Sequence, residues 1–170
     1  LRLPARSSPI FTMSRRLLAL ESATDHLSIA FLEGDELVAL HEAEGTRQHA
    51  AVLLPMVEKA LGELSWSVSQ LDALAVSAGP GSFTSLRIGL ASAKGLAFGR
   101  DWEAVGVSTL EAMALGAFEG AGAEGEVVAL LDARRGEWYA GGYRSDGDRL
   151  IPGLVEGLYD PEALAADLDG

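Results

Sequence analysis

Cysteine is absent from the 170-residue chain, which removes a disulfide framework and any thiolate metal site and fits a reducing compartment. Cationic residues are scarce: 13 Lys and Arg stand against 25 Asp and Glu, a formal net charge of -12. Such a surface repels phosphate backbones, so contact with nucleic acid is expected to be indirect. Also missing is any run near the ~20 apolar residues of a membrane span, so no membrane association is expected. The opening segment, with Arg2, Pro4, Arg6 and Pro9, lacks the apolar stretch of a secretory signal. The expectation is a cytoplasmic protein that starts naturally at Met13, with residues 1–12 a disordered or vector-derived leader. What is plentiful is apolar side chain, at 48% of residues, enough to bury a core as one domain or two small lobes.

The apolar run Leu17–Leu20, ending in Glu21, suits a buried central strand over Arg16–Glu21. Leu27–Leu32 and Leu37–Leu40 follow as strands, joined through Glu33-Gly34-Asp35 as an antiparallel hairpin. Ala50, Leu53, Leu54, Val57 and Leu61 then share one stripe of a helix over Arg47–Leu61, with Pro55 expected to kink it. Asp72–Ser77 reads as a strand, Thr84–Gly99 as a helix, and Ala104–Val107 as a short strand. Ser108 and Glu111 have capping-box spacing for a third helix with an apolar side of Leu110, Met113, Ala114 and Phe118. Beyond a small-residue linker, Ala121–Gly125, the opening pattern returns: a strand Val127–Leu131 ending in Asp132, a strand Glu137–Tyr143, a turn at Ser145–Asp148, and Leu150 and Ile151. Asp160 and Pro161 then cap and open a helix through Leu168. This order describes an α/β chain of two lobes, residues 13–107 and an incomplete 108–170; the echo reads either as a repeat of one topology or as the common occurrence of buried strands that end in acids.

The most informative segment is the corner Ala78-Gly79-Pro80-Gly81-Ser82-Phe83-Thr84, between a strand and a helix. Gly79 and Gly81 let backbone approach a ligand, Ser82 and Thr84 bring hydroxyls, and the helix N-terminus brings amides and partial positive charge, so these four residues form a candidate phosphate loop. The corner has no lysine of the Walker type and has Thr84 where a third dinucleotide-motif glycine would fall. A tight turn without a ligand reads equally well. In the helix behind it, Leu86, Leu90, Ala93 and Ala97 form a stripe expected to cover the sheet. Ser85, Gly89, Ser92 and Gly99, flanked by Ile88 and Leu96, form a smaller-residue stripe expected to let another helix come near, from this chain or a second one. On that reading Gly89→Leu would abolish partner binding and spare the fold.

Gly79-Pro80-Gly81-Ser82-Phe83-Thr84-Ser85-Leu86-Arg87-Ile88-Gly89 resembles the signature of the TsaB (YeaZ) family. So, in order, do Leu17–Ser22, Leu54-Pro55-Met56-Val57, Gly106–Leu110 and Leu131–Glu137. The resemblance implies duplicated lobes of the actin-like, sugar-kinase and heat-shock ATPase class, ribonuclease H-like in architecture. It further implies a non-catalytic subunit of the bacterial machinery for threonylcarbamoyladenosine in tRNA, pairing with the catalytic paralogue TsaD through first-lobe helices. The ATPase TsaE joins that pair, and the subunit alone forms homodimers. No tightly bound cofactor is implied, only ATP or ADP with magnesium at the complex interface. Two departures stand out: Glu21 where the family usually has aspartate, and Ser85 where it usually has glycine. The family's second lobe also normally runs beyond Gly170.

The resemblance also implies that TsaD's metal-binding His-x-x-x-His pair corresponds to Thr109 and Met113 here, so no metal is expected and Met113 reads as core. His26, His41 and His49 have no partner at helical spacing and read as surface histidines. Glu21 and Asp132, at strand ends, are the carboxylates that would serve the alternative reading, an actin-fold small-molecule kinase. Arg134 and Arg135 read as a hairpin tip or as a contact for phosphate or an acidic partner. No residue of the chain is assigned a catalytic role.

Overall fold

The computed structural model describes residues 14–44, 48–120, 122–147 and 149–169. The expected leader, Arg47 at the expected helix start, Ala121 and Asp148 lie outside them. Two compact units are present: among the described residues one holds 14–78 with Ser82–Val107, the other Gly79–Gly81 with those from Ser108 on.

In the first unit, β1 (Arg16–Glu21) is the middle strand of a five-stranded sheet. β2 (Leu27–Glu33) and β3 (Glu36–Ala43) pair antiparallel on one side of it, and β4 (Ala73–Gly79) pairs parallel on the other with β5 (Glu103–Ser108) outside. Leu18, Leu20, Leu27, Ile29, Phe31 and Leu74 are buried at their centre, as expected of an apolar run covered by helices. The order β3-β2-β1-β4-β5 is the actin-like, ribonuclease H-like lobe that the resemblance implies.

Two helices accompany this sheet, α1 (His49–Glu63) and α2 (Phe83–Ala97), packed beside each other. α1 runs through Pro55, which is exposed and leaves the Ala51 carbonyl without its helical donor. His49, Leu53, Val57, Ala60 and Leu61 face the core. Ala50 and Leu54, expected on that stripe, point outward: the apolar set is wider than one buried face can hold, and the sheet takes its other edge.

The second unit opens with α3 (Thr109–Gly120), where Ser108 Oγ accepts from Glu111 N at 3.3 Å. Leu110 and Ala114 are fully buried, whereas Met113, expected in the core, is exposed. β6 (Glu126–Arg134), β7 (Glu137–Ser145) and β8 (Leu150–Pro152) form an antiparallel sheet, and β9 (Gly157–Tyr159) pairs with the first half of β7. The antiparallel succession β6-β7-β8 repeats β1-β2-β3, which is the echo read from the letters. α4 (Pro161–Asp169) begins as expected, with Asp160 Oδ1 accepting from the amides of Glu162 at 3.0 Å and Ala163 at 2.8 Å.

Candidate functional site

β1 and β4 run parallel and end side by side, so their C-terminal ends place Glu21, Ser22 and Ser77 against the start of α2. A chain of serines ties them together. Ser22 N donates to Ser77 Oγ at 3.2 Å, and Ser22 Oγ donates to the Ser85 carbonyl in the first turn of α2 at 3.1 Å. Ser22, Ser77 and Ser85 are all buried. Ser82, the N-cap of α2, accepts from Ser85 N at 3.5 Å and donates its own amide to Ala23 O at 2.7 Å. The corner is thereby held from the turn after β1 and from within its own helix.

Of the proposed phosphate-loop residues, Gly79 has φ of 110° and Gly81 of 158°, and the Gly79–Pro80 peptide is cis. Ser82 spends an oxygen lone pair on its cap, while Thr84 is exposed. No acid lies in the first turn of α2, and Arg87 stacks on the Phe83 ring at 3.8 Å, so the helix start is a locally positive spot on an acidic chain.

The stripe assignments on α2 need correction. Ser85, Gly89 and Ala93, one above another at i, i+4 and i+8, are the residues buried against the sheet. A Cβ on Gly89 would fall on the Ser22 hydroxyl, with Val76 Cγ2 3.8 Å away. Ser85 and Gly89 therefore face the chain's own sheet and are not available to a partner. Ile88, Ser92 and Leu96 are half-buried, and Ile88 and Leu96 pack on the chain's own core. Leu86, Leu90 and Ala97, expected to cover the sheet, are only half-buried flanks. Small residues line the inner face because the serine chain leaves no room for larger ones. The outer face lies diametrically opposite: Phe83, Thr84, Arg87, Ala91, Lys94, Gly95 and, at the C-cap, Phe98. Phe83 is 67% and Phe98 85% exposed, marks of a face that no described residue covers. In the sequence Phe83 and Phe98 lie fifteen positions apart, at the two ends of the helix, a spacing that gives no local signal of a shared face.

Glu21 accepts from Ala23 N at 2.5 Å and from the Ser77 hydroxyl. Burial raises its pKa above the ordinary carboxylate value, against those hydrogen bonds, which lower it. A carboxyl whose folded pKa is raised adds stability below the unfolded value, and that stability is lost as pH rises through the folded one. Glu21→Gln, which keeps the acceptor oxygen, is thus expected to match the natural chain below pH 4.5 and to become the more stable of the two as pH rises above it. Urea unfolding across that range checks the sign. Asp132, at the matching end of β6, is exposed and accepts from Arg134 N at 2.7 Å, the same i to i+2 closure.

His49, expected at the surface, is only 3% exposed, and neither ring nitrogen has a partner. His41 pairs with Glu63 at 3.2 Å. Thr109 is buried, and among the described residues no group of three or more His, Cys, Asp or Glu could hold a metal ion. Also among them, no helix is long and apolar enough to cross a membrane. In the second unit Glu156 accepts from Tyr143 Oη at 2.5 Å and from Ser108 Oγ at 2.8 Å. Burial, followed by the Glu156 carboxylate, raises the Tyr143 pKa.

This architecture is shared. Residues 40–166 match the family model described as TsaD, tRNA N6-adenosine threonylcarbamoyltransferase, which defines the class. The chain is 41% identical over 150 residues to the tRNA threonylcarbamoyladenosine biosynthesis protein TsaB of Escherichia coli, covering 88% of this chain and 64% of that one. It is 44% identical over 123 residues to TsaB of Haemophilus influenzae, covering 72% of this chain and 51% of the relative. The chain thus spans about half to two thirds of the length of these relatives. The solved structure of YeaZ from Pseudomonas aeruginosa superposes with a TM-score of 0.81 at 36% identity, covering 86% of this chain and 68% of that one. A second Pseudomonas aeruginosa structure, described by its similarity to peptidase YeaZ, gives 0.82 at 36% identity, covering 87% and 68%. Within that class the chain belongs to the TsaB (YeaZ) family.

Proposed function

We propose that the chain serves threonylcarbamoyladenosine biosynthesis on tRNA as a binding subunit without chemistry of its own, pairing with a TsaD-type catalytic paralogue. A TsaE-type ATPase joins the pair, and the chain forms homodimers when alone. The observation that carries this reading is the uncovered outer face of α1 and α2. Leu54 and Pro55 stand exposed with Ala50 and Ala51 on α1, and Phe83, Ala91, Gly95 and Phe98 on α2. Apolar surface of this kind, rimmed by Glu58, Arg87 and Lys94, marks protein association sites, and its small residues let a partner helix approach closely. The names of the relatives favour this reading over the small-molecule kinase. In it, Glu21 and Asp132 close turns with their carboxylates, and the Gly79–Thr84 corner sets the start of α2. Any ATP or ADP with magnesium belongs to the assembled complex, tRNA is met only through the partner, and the setting is the cytoplasm.

The test is co-purification of the natural chain and Ala91→Arg with the TsaD-type paralogue. Ala91 is exposed on the outer face, so the substitution is expected to leave the melting temperature unchanged and weaken pairing by about tenfold or more. Equal recovery of both variants would remove the outer face from the interface. No recovery of the natural chain would remove the subunit reading.

A further inference from the structure

The end of β3 and the start of α1 enclose a cavity of about 60 Å³ lined by Leu27, Ala43, Glu44, Gln48, His49 and Val52. Two independent features converge on it. His49 lines it while 97% buried by the 3% exposure of its side chain and backbone together, with Nδ1 and Nε2 both lacking partners. A buried imidazole left so is costly unless something fills the space beside it. The second feature is the helix end itself: the N-cap, Gln48, makes no side-chain cap bond and no acid stands in the first turn, so among the described residues no side chain of the helix end offsets the partial positive charge of the α1 N-terminus.

We infer that this cavity is a binding site for one small monoanion, of the size of chloride or formate. His49 donates an N–H to it and the start of α1 supplies the favourable potential, while Leu27, Ala43 and Val52 exclude water around it. The volume excludes a nucleotide or a phosphate ester. Glu44, exposed at the rim, is the titratable group besides His49 among the described lining residues, and its charge opposes the anion. Because α1 also carries part of the outer face, occupancy would firm the end of a helix that a partner meets. The assignment does not depend on the proposed function.

The test is an NMR titration of the natural chain with sodium formate and with sodium chloride, ionic strength being held by a bulky sulfonate salt. The His49 ring signals are expected to shift saturably with each anion. His49→Gln should weaken binding about tenfold, and Glu44→Gln, which removes the opposing charge, should tighten it. A linear or absent response at His49, whether water or the Glu44 carboxylate fills the space, would overturn the assignment. So would an unchanged titration in His49→Gln or weaker binding in Glu44→Gln. The His49 signals of the natural chain decide the matter even if a variant fails to fold.

Discussion

Gly89→Ala is expected to lower the stability of the first unit by about 3 kcal/mol, and Gly89→Leu to prevent its folding. The added methyl falls on the Ser22 hydroxyl, which lies at the bottom of the α2–sheet contact and donates to the Ser85 carbonyl at 3.1 Å. Ser22 is fully buried, so its side chain cannot turn out to solvent. It must either break that hydrogen bond or push α2 away from β1. Alanine's better helix propensity returns about 1 kcal/mol, too little to offset the clash. The control is Ser22→Ala, which removes the hydroxyl and by itself costs about 1 kcal/mol. In the double variant the new methyl meets the Ser22 Cβ position at 3.3 Å, tight but without the hydroxyl. It should therefore be more stable than Gly89→Ala alone, with a coupling of about 2 kcal/mol in a double-mutant cycle read by urea unfolding. Loss of partner binding without loss of stability in Gly89→Leu, the outcome the sequence pattern suggested, would place Gly89 on the outer face.

The reversal at Gly89 shows where letters suffice and where they do not. Buried strands announce themselves: Leu17–Leu20, Leu27–Leu32 and Val127–Leu131 are apolar runs bounded by acids and glycines, and each forms a strand close to its expected bounds. Caps are equally local, and Ser108 and Asp160 act where their spacing puts them. The side of a helix that meets the sheet is a tertiary property. α2 presents its small residues inward because Ser22, 63 positions before Ser85 and held by Ser77, occupies the space that a leucine would fill. Hydrophobicity alone assigned Leu86 and Leu90 to that face, and the serines gave no signal until β1 and β4 were paired. His49 escaped for the same reason. A histidine at a helix start reads as solvated unless the β2 and β3 residues around it, Leu27 and Ala43, are known to close over it.

The second large effect is expected at Gly142 on β7, where alanine should destabilise the second unit by about 3 kcal/mol. β8 and β9 both pair antiparallel with β7, and the segment joining them bulges beside it: Gly142 N donates to Leu154 O at 3.0 Å and Gly153 N donates to Gly142 O at 2.8 Å. A Cβ on Gly142 would lie 2.9 Å from Leu154 N and 2.8 Å from Leu154 Cβ, so the obstacle is backbone, and relief means moving the bulged segment away from the strand. That segment carries Glu156, which receives the Tyr143 and Ser108 hydroxyls, so its displacement loosens the start of α3 as well. The neighbouring position separates this cause from any general intolerance of side chains on β7. A Cβ on Gly141 meets Glu156 Cγ and Tyr143 Oη, both at 3.0 Å. Those are side-chain atoms, bonded to each other through the Tyr143–Glu156 hydrogen bond but not fixed as backbone is, so they need shift together by only a few tenths of an ångström, and Gly141→Ala should cost only about 1 kcal/mol. Trp138, on β7, reports the unfolding of this unit, while Trp66 and Trp102 pack on the core of the other. Tryptophan fluorescence with Trp66 and Trp102 replaced by phenylalanine would follow both variants in urea. Equal costs at Gly141 and Gly142 would mean that the bulged segment yields as readily as a side chain, and that its two backbone hydrogen bonds do not hold it to the sheet.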